Sequence, residues 1–342
     1  MKKIIESVIR KPGDIELIEA PMPELSPGEG LVRLSYAAIC GTDMHIYQGK
    51  YPAELPKIVG HECSGVIERI NAAGELPFKA GDRVAVQPFL TCGHCDACIT
   101  GHGNACVSQK FFGTKTDGCF TQYMKVPLNR VCRIPDNVDQ RLGCMTEPLA
   151  VGVHAVRESG FMVGETALVL GAGPIGLMLA LVLRMAGATN IVLTEMSPYR
   201  IRFAEDMGFK IVNPADGGAA ERLLEINGGD RYHKVFEATA APASYELMFE
   251  TIKARGVIML LGLTSQKHPF NTTACVFQEA QVRALRIHSM ESFRYALRIL
   301  GSGLLSESVS RLMTHEFDFN NIKDAMEFAV NDQEHIKVTI KF

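Results

Sequence analysis

The 342-residue sequence predicts an α/β chain of two domains, one mostly β and one a doubly wound parallel sheet. Three observations carry that prediction. A strand, a glycine-rich turn and an apolar helix follow one another within residues 167–183. At about Pro148 the texture changes from short strands punctuated by turns to strands alternating with helices. Four of the ten cysteines crowd into residues 92–106, in a loop rich in glycine and polar side chains.

The first part of the chain, to about Asn129, reads as strands at 15–18, 29–36, 65–70 and 83–86 between proline and glycine signals. Pro21, Pro23 and Pro27 exclude a helix among them. A barrel-like or partly open sheet is expected there. The second part opens on the run ALVLGAGPIGLMLALVL, whose glycines and proline interrupt what would otherwise pass for a membrane span. Residues 167–170 are read as a buried strand and 175–183 as a buried helix. Between them Gly171 permits a tight turn, Gly173 lets the backbone approach a pyrophosphate, and Gly176 lets helix and strand pack closely. Gly171, Gly173, Pro174, Ile175 and Gly176 are therefore expected to bind a dinucleotide, with the helix N-terminus facing its phosphates.

A second strand at 191–194 ends in Glu195, about 20 residues past the glycines, where a dinucleotide site grips the ribose hydroxyls. A carboxylate there repels a 2′-phosphate and favours NAD over NADP, while Arg200 and Arg202 just beyond partly offset that repulsion. Two more strands are expected at 235–238 and 257–262, and helices at 291–301 and 321–330. Residues 336–342 alternate as a strand, expected to rejoin the first domain.

A net charge of −3 with interspersed signs gives no basic stripe for nucleic acid. The N-terminus has no sustained apolar stretch, so no signal peptide is read, and the cysteines are too few for a disulfide scaffold. A soluble cytoplasmic protein with no membrane segment is expected.

Cys92, Cys95, Cys98 and Cys106 form C-x2-C-x2-C-x7-C, a spacing that lets four thiolates converge on one tetrahedral zinc. A four-cysteine iron–sulfur cluster is the competing reading, but its usual spacings differ. Four thiolates fill the coordination sphere, so this site is expected to be structural; His94 and His102 are surplus. A second set is dispersed: Cys40 in C-G-T-D-M-H, His61 and Glu62 in G-H-E, and Glu147 in T-E-P-L-A. One thiolate, one imidazole and carboxylate oxygens suit a zinc with an open position. Cys144 stands close enough to Glu147 to compete, and the carboxylate is preferred.

CGTDMH, GHE, the four-cysteine lobe, EPLAVG and GAGPIG occur in the order seen in the medium-chain zinc-dependent dehydrogenases, and the sequence resembles that family over essentially its whole length. Within it the chain is similar to the polyol and sugar-acid branch. The resemblance implies a GroES-like catalytic domain at about 1–150 and 289–342, with its structural zinc lobe at about 90–107, and a Rossmann domain at 151–288. It implies two zinc ions per chain, with Cys40, His61 and Glu62 as catalytic-zinc ligands and Glu147 as the fourth ligand or a water-linked neighbour. It makes Thr42 the group that receives the substrate proton and His45 the outer end of a relay through the nicotinamide ribose. Lys337 occupies a position usually written G-K-V, here I-K-V.

The implied activity is hydride transfer between NAD and a secondary alcohol of a polyol or sugar acid, such as L-idonate, L-gulonate, L-galactonate or a polyol phosphate. Lys115 falls in the stretch that lines the substrate cleft in polyol relatives, and Arg286 lies near the return to the catalytic domain, where relatives often place an arginine. Two cations aimed at one pocket suit an acidic substrate. The alternatives are a neutral polyol dehydrogenase of sorbitol or butanediol type, a threonine dehydrogenase, a zinc-free reductase, or a regulatory protein keeping the fold. An apolar strand near 283–287 would permit the sheet-edge pairing of relatives, so a homodimer or homotetramer is expected.

Overall fold

A computed structural model describes residues 3–268 and 270–342. The chain divides into two compact units, Met1–Glu147 with Ser289–Phe342, and Pro148–His288.

In the first unit one strand, Glu29–Ala38, gathers the others. It pairs antiparallel with Glu62–Asn71, Tyr123–Pro127 and Lys337–Lys341. The sheet continues through Arg83–Val86 to Val131–Arg133 on one side, and through Lys337–Lys341 to Met313–Asp318 on the other. Residues 337–341 form a strand, as their alternation suggested, and it lies in the first unit. Val32, Leu34, Ile67, Val84, Val126, Val338 and Ile340 form the core of this sheet. Helix Ile322–Asn331 covers it with Ile322, Ala325, Met326 and Ala329, the one-face spacing of an amphipathic helix.

The N-terminal strand Lys3–Lys11 pairs with Asp14–Pro21 in a hairpin that the sequence reading missed on its first arm. Lys3, Glu6, Arg10 and Lys11 mask its periodicity, whereas Ser7, Val8 and Ile9 are buried in succession.

The second unit is a six-stranded parallel sheet ordered Lys210–Val212, Asn190–Thr194, Thr166–Leu170, Tyr232–Glu237, Ile252–Leu260 and Gln281–Ala284. Numbered along the chain, that order is 3-2-1-4-5-6, so the winding reverses between its two central strands, and sheets of this order take their ligands in a crevice at the carboxyl ends of those strands. Ala167 to Leu170 are fully buried, and so is every residue from Gly176 to Leu183 on helix Pro174–Met185. The apolar run is therefore a core strand and a core helix. Among the described residues no helix is long and apolar enough to cross a membrane. The edge strand runs Gln281–Ala284, earlier than the expected 283–287, and Ile287 beyond it adopts φ +56°, outside the extended region.

Candidate functional site

Cys40 caps helix Gly41–Tyr47, and the polar residue three positions on folds back over it. Asp43 Oδ2 accepts from the Cys40 N–H at 2.9 Å, and Asp43 Oδ1 accepts from the Gly60 N–H at 2.9 Å. The same carboxylate, fully buried, stands 3.5 Å from His61 Nδ1. One side chain therefore ties together two stretches that are 20 residues apart in sequence. Gly60 makes their approach possible: it sits at φ +94°, and a Cβ there would lie 2.7 Å from the Phe120 ring. The Phe111 ring meets the His61 imidazole edge-on, with centroids 4.9 Å apart.

Ligand atoms of Cys40, His61 and Glu62 all lie within 4.8 Å of one another, a donor set and spacing that fit one zinc ion. In the metal-free protein, burial works against a charged His61, but Asp43 and Cys40 outweigh it and hold the imidazole well above its usual pKa. An orienting carboxylate on the far nitrogen is the arrangement expected of a zinc-ligating histidine. Glu62 is 1% exposed and lies 2.6 Å from Lys337 Nζ, itself 3% exposed. Burial pushes the Glu62 carboxyl above its usual range, opposed by Lys337 and reinforced by Glu147. Burial also disfavours the Lys337 ammonium, yet Glu62 and Cys40 hold it above the ordinary lysine value. Glu147 is buried nearby but lies outside the group of close ligand atoms. Cys144 stays apart too, since its thiol donates to the Arg141 carbonyl at 3.1 Å.

Thr42, half-buried, and His45, exposed, share helix Gly41–Tyr47 at an i, i+3 spacing, which sets them on one side of it.

The second cluster joins Cys92, Cys95, Cys98 and Cys106, again within 4.8 Å of one another and all free thiols. Cys92 Sγ is 3.6 Å from Cys106 Sγ and 3.9 Å from Cys98 Sγ. A tetrahedral zinc with Zn–S bonds of about 2.3 Å requires sulfur separations of about 3.8 Å. Backbone N–H groups of His94 and Cys95 hold the Cys92 thiol down at about 5, ready as a thiolate.

In the second unit Gly171 takes φ +106° and its N–H donates to the Thr194 carbonyl at 3.0 Å, joining the first two strands at the crevice. A Cβ on Gly176 would stand 1.9 Å from the Gly171 oxygen, so helix and turn touch only because position 176 is glycine. A Cβ on Gly173 would meet nothing closer than Arg200 Nη1 at 3.6 Å. Gly173 caps the helix without a side chain, and Pro174 follows at its first position, leaving first-turn N–H groups to an anion. Glu195 reaches back to this turn: its Oε2 accepts from the Ala172 N–H at 3.3 Å and lies 3.9 Å from Arg200 Nη1. Glu237 was not singled out from sequence. It ends the neighbouring strand fully buried and accepts from the Thr239 and Ala240 N–H groups, both at 2.8 Å. Thr239 borders Gly171, so Glu237 shapes the crevice wall.

Lys115 and Arg286 fall on different units, and both are exposed. The Lys115 N–H donates to the Phe111 carbonyl at 3.0 Å, in the turn whose aromatic ring packs on His61. Arg286 follows the edge strand of the second unit. Asp43 and Lys337 are the site residues whose roles sequence reasoning did not assign. The three-residue gap from Cys40 to Asp43, the spacing of a capping box, was the signal for the first.

Two family models match the chain: the alcohol dehydrogenase GroES-like domain over residues 26–136, and the zinc-binding dehydrogenase over residues 174–302. The chain is 31% identical to sorbitol dehydrogenase of Bacillus subtilis (strain 168), covering 98% of this chain and 96% of that protein. It is 33% identical to L-threonine 3-dehydrogenase of Escherichia coli (strain K12), covering 91% and 93% respectively. Among solved structures, a short chain alcohol dehydrogenase from Escherichia coli CFT073 complexed with cofactor NADH matches with a TM-score of 0.94 and 29% identity over 100% of both chains.

Proposed function

The chain belongs to the zinc-binding alcohol dehydrogenases, and we propose that it moves a hydride between NAD and a secondary hydroxyl of a polyol or sugar acid. The observation that carries this reading is the convergence of Cys40, His61 and Glu62 beside a helix that presents Thr42 and His45. Zinc held there supplies Lewis acidity to a substrate oxygen, and bound NAD supplies the hydride acceptor.

The chain's own residues do the rest. Asp43 holds the backbone at Cys40 and at Gly60 and stands 3.5 Å from His61 Nδ1, which brings the ligand-bearing stretches together. Lys337 holds the Glu62 carboxylate. The Thr42 hydroxyl takes the substrate proton, and His45, one turn on and open to solvent, carries it outward. The Gly171–Gly176 turn receives the pyrophosphate, and Glu195 accepts hydrogen bonds from the ribose hydroxyls, which selects NAD over NADP.

The relatives are named for sorbitol, a neutral polyol, and for L-threonine, a zwitterionic hydroxy amino acid, which supports a small substrate with a secondary hydroxyl. Lys115, exposed on a turn that packs against His61, supports an acidic group at the far end of the substrate. The exposed edge strand Gln281–Ala284 supports pairing with a second copy, giving a homodimer or homotetramer.

Metal analysis and turnover on one preparation test the reading. Two zinc ions per chain are expected. Cys40→Ser is expected to lose one of them and its turnover while still binding NAD, and persistent turnover would refute the assignment. A kcat/KM comparison of sorbitol, L-threonine, L-idonate, L-gulonate, L-galactonate and galactitol 1-phosphate fixes the substrate. Preference for the neutral polyol would remove the role given to Lys115.

A further inference from the structure

We propose that Arg130 is the counter-ion of the four-cysteine zinc lobe, and that its charge sets how firmly that zinc is held. The inference rests on the reading that Cys92, Cys95, Cys98 and Cys106 bind zinc. Four thiolates around a divalent ion leave a net dianion, and this one stands in a loop only part of which is buried. An uncompensated dianion there favours protonation of its sulfurs and release of the metal.

Arg130 ends the turn Leu128–Arg130 and is half-buried. Its Nη1 donates to Gln87 Oε1 at 2.9 Å and its Nη2 to Thr91 Oγ1 at 2.8 Å. The Gln87 N–H donates back to the Arg130 carbonyl at 2.7 Å, and the guanidinium stands 5.7 Å from the Phe89 ring centroid. Gln87, Phe89 and Thr91 all lie on the stretch that runs directly into Cys92. The strand on that stretch, Phe89–Leu90, pairs with Lys110–Phe111 just beyond Cys106, so the guanidinium is fixed at the root of the lobe.

All of these partners are neutral. Among the described residues no carboxylate pairs with Arg130, and a half-buried cation without an anion is costly. The lobe supplies the missing charge: the guanidinium is bonded to Thr91, the residue before Cys92, so the four sulfurs that converge there are the negative group at the end of its tether. The benefit is reciprocal, since a fixed cation favours thiolate over thiol and hence metal over proton.

The test compares wild type, Arg130→Lys and Arg130→Gln in the full chain. It follows zinc release to a colorimetric chelator and the pH at which half of the lobe zinc is lost. Arg130→Gln keeps hydrogen-bonding capacity without charge; Arg130→Lys keeps charge without the fork. The neutral variant is expected to release the lobe zinc about tenfold faster and at higher pH, with Arg130→Lys staying closer to wild type. Equal release from Arg130→Gln and wild type would overturn the proposal. So would equal losses in both variants, which would make the hydrogen-bond fork the cause. Wild type with no zinc on these four cysteines would instead overturn the metal reading beneath it.

Discussion

Lys337 and Glu62 are 275 residues apart in sequence, yet their charged ends meet at 2.6 Å inside the first unit, each almost wholly shielded from water. Replacing Lys337 with Met leaves a buried carboxylate without its partner. Urea unfolding of the metal-free protein is expected to show a loss of about 3–5 kcal/mol. Adding Glu62→Gln to that variant is expected to restore part of the loss, because the two positions form one interacting pair.

Gly176 admits no side chain. With a Cβ placed 1.9 Å from the Gly171 oxygen, Gly176→Ala must spread the turn from the helix. We expect KM for NAD to rise at least about tenfold, with a stability loss of about 1–3 kcal/mol. Zinc content should not change. Altered zinc content with unchanged NAD kinetics would contradict the assignment of this turn.

Glu195 lies between the Ala172 N–H and the Arg200 guanidinium. Glu195→Gln removes the charge that disfavours a 2′-phosphate and releases Arg200 to meet one. The ratio of kcat/KM for NADP over NAD is expected to rise by about 10–100-fold, equivalent to ~1.4–2.8 kcal/mol. An unchanged ratio would show that Glu195 does not face the ribose.

Ala240 adopts φ +57°, in the left-handed region, held there by its N–H bond to the buried Glu237 carboxylate. Such a conformation costs a non-glycine residue about 1–2 kcal/mol, part of which glycine returns as unfolded-chain entropy. Ala240→Gly is therefore expected to stabilise the second unit by about 0.5–1 kcal/mol, measured as a rise in midpoint on thermal unfolding.

Two parts of the site could be read from sequence because their physics is local. The positions of Gly171, Gly173 and Gly176 are dictated by the sterics of a few neighbouring peptides, and the four lobe cysteines need only a short loop to converge. Cys40, His61 and Glu62 carried no such local mark; their donor chemistry suited an open zinc site, and their likeness to a family pattern gave each its role. Asp43 and Lys337 escaped assignment because each acts through a partner brought near by folding. Strand Lys3–Lys11 was hidden by the charges on its outer face. The edge strand was misplaced because nothing in an apolar run announces the turned backbone at Ile287.

The strand Lys337–Lys341 has a consequence for the order in which a ribosome can deliver this molecule. It sits inside the first unit's sheet, between Met313–Asp318 and Glu29–Ala38, although it is made some 300 residues after the latter. Every strand of the second unit, by contrast, comes from one unbroken stretch of synthesis. The second unit can thus mature while the first still waits for its last strand, so nascent chains must pass through a stage with an unzipped seam beside Ala37 and Ala38.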